Sequence, residues 1–302
     1  MKKIISLVLV LVLALPLVAC GGGEKVALRM YDGTFAEMKI VHRMVKFVVE
    51  EYTDLEVELG EAMSSVNMYK EMLNDKCDVF NSYDGTVLTT FLHLDVTDVP
   101  ADETIHEYVN RVAEEQEGVY LLDKIGNNNT YSLAMPEGLA AEHGISTISE
   151  LVPLAGEFVF GAEHEFFSEE GMAKFNPFTQ FYGLEFKDVR QIDMNLKYAA
   201  VESGNVEVLV VYTTDGLNKK AQLRVLEDDR SYFPDYNGAL LVRGDLFDRV
   251  KDVAPDLKEV LNKLGGVCNN EEMTELSYRV DVEEENVDDV TREFLRSKGV
   301  IS

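Results

Sequence analysis

Residues 205–237 read NVEVLVVYTTDGLNKKAQLRVLEDDRSYFPDYN. Val206 to Val211 form an apolar run of the length of a fully buried strand, and the run ends in Tyr212. Thr213, Thr214, Asp215 and Gly216 make a polar turn, and residues 223–226 a second short strand. Glu227, Asp228 and Asp229 form an acidic turn ahead of Tyr232, Phe233, Pro234 and Tyr236. A buried strand that stops at an aromatic and a turn places that ring at the mouth of a sheet. Open α/β sheets bind ligands there, beyond the carboxyl ends of their strands. The chain has no Trp, so an aromatic pocket must come from its 13 Tyr and 15 Phe.

Working outward, the same arrangement recurs. Residues 25–30 read as a strand closing in Tyr31-Asp32-Gly33-Thr34. Residues 36–52 have helical spacing, with Met38, Val41, Val45 and Val48 apolar and Lys39, Arg43 and Lys46 between them. A strand at 55–59, a helix at 67–76 and a short buried strand at 77–80 follow, the last running into Asn81-Ser82-Tyr83-Asp84-Gly85-Thr86. This β-α-β-α-β order predicts a parallel sheet with covering helices. A helix is expected near Val87, another at 105–117 and a strand at 119–122. The polar stretch 123–129 reads as a crossover, and Thr130-Tyr131-Ser132-Leu133-Ala134 opens a second β/α series. That series holds a helix at 148–154, strands at 158–162 and 189–192, a helix at 196–203 and the strand at 206–211. The chain then crosses back near Asp229, adds a strand at 238–242 and finishes in helices. The expected fold is α/β in two lobes: 26–125 with 230–302 as lobe I, and 126–229 as lobe II. Crossovers near 123–129 and 229–231 form the hinge.

With 302 residues the chain is long enough for two domains. Its net charge of −27 repels nucleic acid and draws cations. Residues 1–19 read as a signal peptide: Met1-Lys2-Lys3 is a positive start, and residues 4–15 are apolar but too short for an ordinary membrane span. Leu17-Val18-Ala19-Cys20 then matches the lipobox of bacterial lipoproteins, with the Cys20 thiolate as the nucleophile that takes the lipid. Residues 20–25, with Gly21-Gly22-Gly23, become a flexible tether. The expected location is extracytoplasmic, anchored to the cell membrane by lipid. Cys77 and Cys268 remain, either as one disulfide or as two buried thiols.

Three motifs taken together resemble the substrate-binding lipoproteins of glycine betaine/choline ABC importers. Tyr-Thr-Thr-Asp-Gly from Tyr212, Leu-Glu-Asp-Asp from Leu226 and Phe-Pro-x-Tyr ending at Tyr236 carry the match. The family's Tyr-Thr-Gly-Thr motif is matched by Tyr83 and Thr86, with Asp84 departing from it, and Asn-Asn-Thr-Tyr ends at Tyr131. The resemblance runs from about Glu37 to Leu295. It implies a type II periplasmic-binding-protein-like fold with Tyr83, Tyr131, Tyr212 and Tyr236 as walls of an aromatic box, and Thr86 facing the ligand. A quaternary ammonium has no N–H to donate, and aromatic faces are the physical means of holding it. The implied partners are that small molecule, an ABC permease with its ATPase subunits, and the membrane reached through the lipid; the protein is expected as a monomer without cofactor. Relatives carry an Arg after a second-lobe Glu-Phe that clamps the betaine carboxylate. Residues 165–171 read Glu-Phe-Phe-Ser-Glu-Glu-Gly and hold no Arg, with Lys174 the nearest cation beyond them. The Gln that some relatives place after the first strand aligns with Met38. Both departures favour a ligand without a carboxylate, such as choline, or one held by backbone N–H groups.

Enzyme signals are weak in the sequence: acid pairs such as Asp228-Asp229 could do acid–base work, but in so acidic a chain they are usually turn or surface groups. His164-Glu165 begins HExxH, but Ser168 stands at the fifth position. His42, His93, His106 and His143 show no metal-ligand spacing, and no GxSxG, Walker A, GxGxxG or CxxC motif occurs. No catalytic or metal residue is expected. Two other readings stay open: a binding protein for an amino acid or polyamine, and a cell-surface enzyme on a two-lobe scaffold.

Overall fold

The computed structural model describes residues 26–167, 174–193 and 196–302, without the side chain of Glu165. The segment 1–19, the tether with Cys20 and residues 168–171 lie outside them. β1 (Ala27–Tyr31) and β2 (Glu56–Gly60) pair in parallel across α1 (Ala36–Tyr52), which buries Ile40, Val41, Met44, Val45 and Val48. β3 (Val79–Tyr83) is buried at all five positions. It lies beside β1, where the Asp78 N–H donates to the Arg29 carbonyl at 2.8 Å. The helix Ile105–Glu117 starts at a Thr104/Glu107 capping box and stops at Gly118, whose φ of 66° is the left-handed turn that glycine allows. It leads into β4 (Val119–Asn128) and then β5 (Tyr131–Pro136).

β6 (Val159–Ala162), β7 (Asp188–Gln191), β8 (Val208–Tyr212) and β9 (Leu223–Val225) complete the second sheet, in the order β7-β6-β8-β5-β9. β10 (Asn237–Arg243) returns to the first half and lies between β3 and β4. Each half holds two clusters of core residues. In the first half one gathers Leu28, Val41, Leu240 and Val290, and another Met68, Phe80, Leu88 and Leu241. In the second half one is rich in rings, with Phe158, Phe160, Phe166, Phe178 and Phe233, and another gathers Tyr198, Val206, Leu209 and Val211. Tyr232 packs against the ring-rich cluster, so the chain leaves that core after Phe233.

The structure corrects three sequence expectations. The parallel arrangement holds for β1 with β2 and for β6 with β7 and β8, but β10 runs antiparallel to both β3 and β4, and β5 runs antiparallel to β8 and β9. A strand that returns from the other half enters from the opposite end, and order along the chain alone does not show this. Residues 123–128 continue β4 where a polar loop was expected, because Ile125 and Asn127 are buried between the more exposed Lys124, Gly126 and Asn128. Helices at Glu137–His143, Phe175–Tyr182 and Gly216–Lys220 were not read from the sequence. The last begins at Gly216, the final residue of the expected turn, whose Thr213 and Thr214 do form a turn, and Gly216 belongs there for packing. A Cβ would fall 2.5 Å from the Tyr278 nitrogen on the helix Asn270–Asp281. Cys77 and Cys268 are both free and buried. Among the described residues no helix is long and apolar enough to cross a membrane.

Asp78 holds the first half together. It is fully buried between β1 and the start of β3, and its carboxylate meets Arg29 and Arg249 at 2.8 Å each and the Arg29 N–H at 2.8 Å. Both guanidiniums are about a third exposed, at 35% and 30%, so water screens them once the acid is gone. Asp78→Ala loses the charge-assisted bonds of a buried acid and should lower unfolding stability by about 1.5–3 kcal/mol, as urea denaturation would measure.

Candidate functional site

Tyr212 closes β8 and Tyr131 opens β5, and the antiparallel register sets the two residues opposite each other. Their rings stack with centroids 4.8 Å apart and planes 27° apart, and their hydroxyls are 3.1 Å apart. A trimethylammonium does not fit between rings at that spacing, so the pair can offer only its outer faces and edges. Phe166 and Phe233 back Tyr131, each with its centroid at 6.0 Å. Burial pushes the Tyr131 hydroxyl well above its ordinary pKa, and Tyr212, Glu163 and Tyr236 push the same way. It stays a neutral phenol, the form that donates.

Tyr83 closes β3 and is 8% exposed. Its hydroxyl donates to Glu37 Oε1 at 2.5 Å. Glu37, in the first turn of α1, also accepts from Asn127 Nδ2 on β4 at 2.7 Å and from Thr214 Oγ1 at 2.6 Å, two residues past Tyr212. One carboxylate thus ties Tyr83 to the turn that follows Tyr212.

Tyr236 sits on the returning connection. Its N–H donates to Asn128 Oδ1 at 2.8 Å, and its carbonyl accepts from the Asn129 N–H at 2.9 Å. Thr130 Oγ1 donates to the Pro234 carbonyl at 2.7 Å, so the two connections run bonded side by side. The Tyr236 ring lies over Gly85, where a Cβ would fall 2.8 Å from the ring and 2.8 Å from the Asp235 carbonyl. Gly85 is therefore what lets this tyrosine reach the turn that follows Tyr83. Thr86 is half-buried in the helical turn Asp84–Thr86.

The sequence reading missed several residues. Glu37 looked like an ordinary acid at a helix N-terminus, where the helix dipole favours one. Lys197 and Glu163 were not singled out. They form a buried ion pair at 2.8 Å beside the aromatic pair, with Lys197 Nζ 5.4 Å from the Tyr212 ring centroid. Lys174 is half-buried and directly precedes the helix Phe175–Tyr182. Among the described residues no His/Cys/Asp/Glu group could hold a metal.

The four tyrosines thus stand at strand ends and on the connection between the halves of a two-lobe α/β frame. The chain belongs to the OpuAC family, the substrate-binding domains of ABC-type glycine betaine transport systems, whose model matches residues 28–297. It is 31% identical to a glycine-betaine-binding protein of Pseudomonas aeruginosa, over 94% of this chain and 92% of that one. It is 28% identical to an ergothioneine transport permease/ergothioneine binding protein of Helicobacter pylori, over 98% of this chain but only 52% of that longer protein. Its fold matches a crystal structure described as a glycine betaine/carnitine/choline ABC transporter. The TM-score is 0.82 at 23% identity, over 91% of this chain and all of that one.

Asp84, the departure from the family motif, is fully buried. Its Oδ1 accepts from the Gly85 and Asn237 N–H groups and its Oδ2 from Asn237 Nδ2, all at 2.8 Å. Burial outweighs these bonds and pushes the carboxyl up to about 6. A raised carboxyl binds its proton more tightly in the native state, so the stability it contributes is full below about pH 4 and lost as pH rises through about 6. Asp84→Asn removes that titration. Urea denaturation at pH 4 and pH 7 should show the variant gaining on the wild type by about 3 kcal/mol at the higher pH.

Proposed function

We propose that this protein captures a quaternary ammonium solute between its lobes and hands it to an ABC permease driven by ATPase subunits. The observation that carries this reading is the stacked Tyr131–Tyr212 pair at the junction, with Tyr83 and Tyr236 tied to the same place from the other half. Membership of the glycine betaine family supports the same ligand class. Choline, glycine betaine and similar compounds share the trimethylammonium head, whose methyls and diffuse charge suit tyrosine faces. In this reading Tyr83, Tyr131, Tyr212 and Tyr236 line the head and Thr86 faces the ligand. Residues 26–128 with 237–302 move as one body and 130–233 as the other, pivoting where residues 128–130 meet 234–237. An amino acid or polyamine site would need carboxylates free to accept N–H bonds. The buried acids beside these rings are already engaged: Glu163 by Lys197, and Glu37 by three donors.

Calorimetric titration with choline, glycine betaine and dimethylglycine tests the box. Each Tyr→Ala change should weaken binding by roughly 0.5–2 kcal/mol, about 2- to 30-fold. Dimethylglycine should bind more weakly than glycine betaine. Unchanged affinity after alanine at all four positions would refute the box.

We further propose that Cys20 carries lipid and anchors the protein outside the cytoplasm. Mass spectrometry of membrane fractions should find acyl mass on the wild-type protein beginning at Cys20. Cys20→Ala should release an unacylated form. A mature chain starting elsewhere without acyl mass would remove the anchor.

A further inference from the structure

We infer that the Glu37 carboxylate sets the charge class of the ligand, making the site prefer a solute with net positive charge over a zwitterion with the same head. The inference rests on the quaternary ammonium reading above and deepens it.

Glu37 is 3% exposed. Its three partners, Tyr83, Asn127 and Thr214, are all neutral donors. The other buried acids have cations: Asp78 has Arg29 and Arg249, Glu163 has Lys197, and Asp84 feels Lys124. Among the described residues no salt bridge reaches Glu37. The titratable groups that face it are Tyr83 from β3, Asp215 from the turn beyond β8 and the Cys268 thiol from the segment before the helix Asn270–Asp281. None of them is a cation. Burial pushes the Glu37 carboxyl above the usual range, against the pull of its three hydrogen bonds.

A buried negative charge without a counter-charge is costly, and a cation brought nearby relieves that cost. Tyr83 touches Glu37 through its hydroxyl and is a proposed wall of the site. A trimethylammonium placed against that ring supplies the missing charge. Having no N–H, it leaves the carboxylate's own hydrogen bonds intact. A zwitterion arrives with its own carboxylate, which cancels most of the benefit. The buried cation beside the rings cannot offset this, because Lys197 is already neutralised by Glu163 at 2.8 Å.

Glu37→Gln keeps the size and removes the charge, and its remaining oxygen can accept from Tyr83 and Asn127 while its Nε2 donates to the Thr214 hydroxyl. Thr214→Val keeps the charge and cuts the bond to the second half. Choline and glycine betaine are titrated against wild type and both variants between pH 5 and pH 8. We expect wild type to favour choline, and Glu37→Gln to weaken choline roughly tenfold while changing glycine betaine far less. Thr214→Val should weaken both alike. Choline affinity of the wild type should fall as acid protonates Glu37, and the profile should be flat in Glu37→Gln. Equal losses for both ligands in Glu37→Gln, or an unchanged choline pH profile, would reduce Glu37 to a structural tie and overturn the inference. Should Glu37→Gln fail to fold, the wild-type choline-to-betaine ratio across the same pH range decides: a constant ratio overturns the inference. Binding of neither compound by wild type would instead remove the proposed function on which it stands.

Discussion

Three donors from three separate parts of the chain converge on one carboxylate, and the meeting of the two halves depends on that convergence. α1 carries Glu37 in its first turn, where backbone N–H groups and the helix dipole favour a negative group. Tyr83 arrives at the end of β3, Asn127 from β4 and Thr214 from the turn after β8. Tyr83 is fixed by strand register, Asn127 sits where the β4–β10 register shifts between Lys124 and Asn128, and Thr214 is fixed because Tyr212 is the last residue of β8. Losing any one would leave a buried carboxylate under-bonded, a larger penalty than the bond itself provides. The orientation of Tyr83 and the position of the turn beyond Tyr212 are therefore set by the same group.

The connections between the halves are held with equal economy. Asn128 accepts from the Tyr236 N–H through its side-chain oxygen, donates to Asp235 through its side-chain nitrogen and takes the Thr213 hydroxyl on its carbonyl. Asp84 fastens the start of β10 to the end of β3 through Asn237. Beside the connections, the helix Gly216–Lys220 lies close enough to the helix Asn270–Asp281 that only glycine fits at position 216. Lys219 adds an ion pair to Glu275 and lies over the Tyr278 ring. These exposed charges contribute little on their own. The close backbone approach at Gly216 is what fixes the distance between the two helices.

Much of this was legible in the sequence where periodicity is strong. Residues 36–52 and 105–117 were read to their ends, because an apolar stripe at helical spacing is a local signal. The apolar run before Tyr212 was legible for the same reason. Strand direction was not, because whether β10 enters between β3 and β4 from one end or the other depends on where a distant connection delivers it. The strand at 123–128 was hidden because Lys124, Gly126 and Asn128 supply polarity at alternate positions while Asn127, polar too, faces inward to reach Glu37. In the site, tyrosines at strand ends could be recognised by type and place. Glu37 could not, since an acid in a first helical turn is common and its three partners lie 46, 90 and 177 residues away.

The stacked pair bears on how binding energy can be apportioned. Tyr131 and Tyr212 support each other through ring contact and paired hydroxyls, and Lys197 lies over the Tyr212 ring. A ring already polarised by a buried ammonium has less negative face to offer a second cation. The Glu163 carboxylate counters that effect at 2.8 Å from the ammonium. Truncating either tyrosine also removes the support that holds the other in place. Their contributions to binding are thus coupled, as those of side chains in contact generally are. Tyr83 and Tyr236 are held differently, one by a carboxylate and the other by a glycine that leaves it room. Charge recognition therefore has a natural home on the Glu37 side of the junction, while the stacked pair on the other side supplies shape and apolar surface.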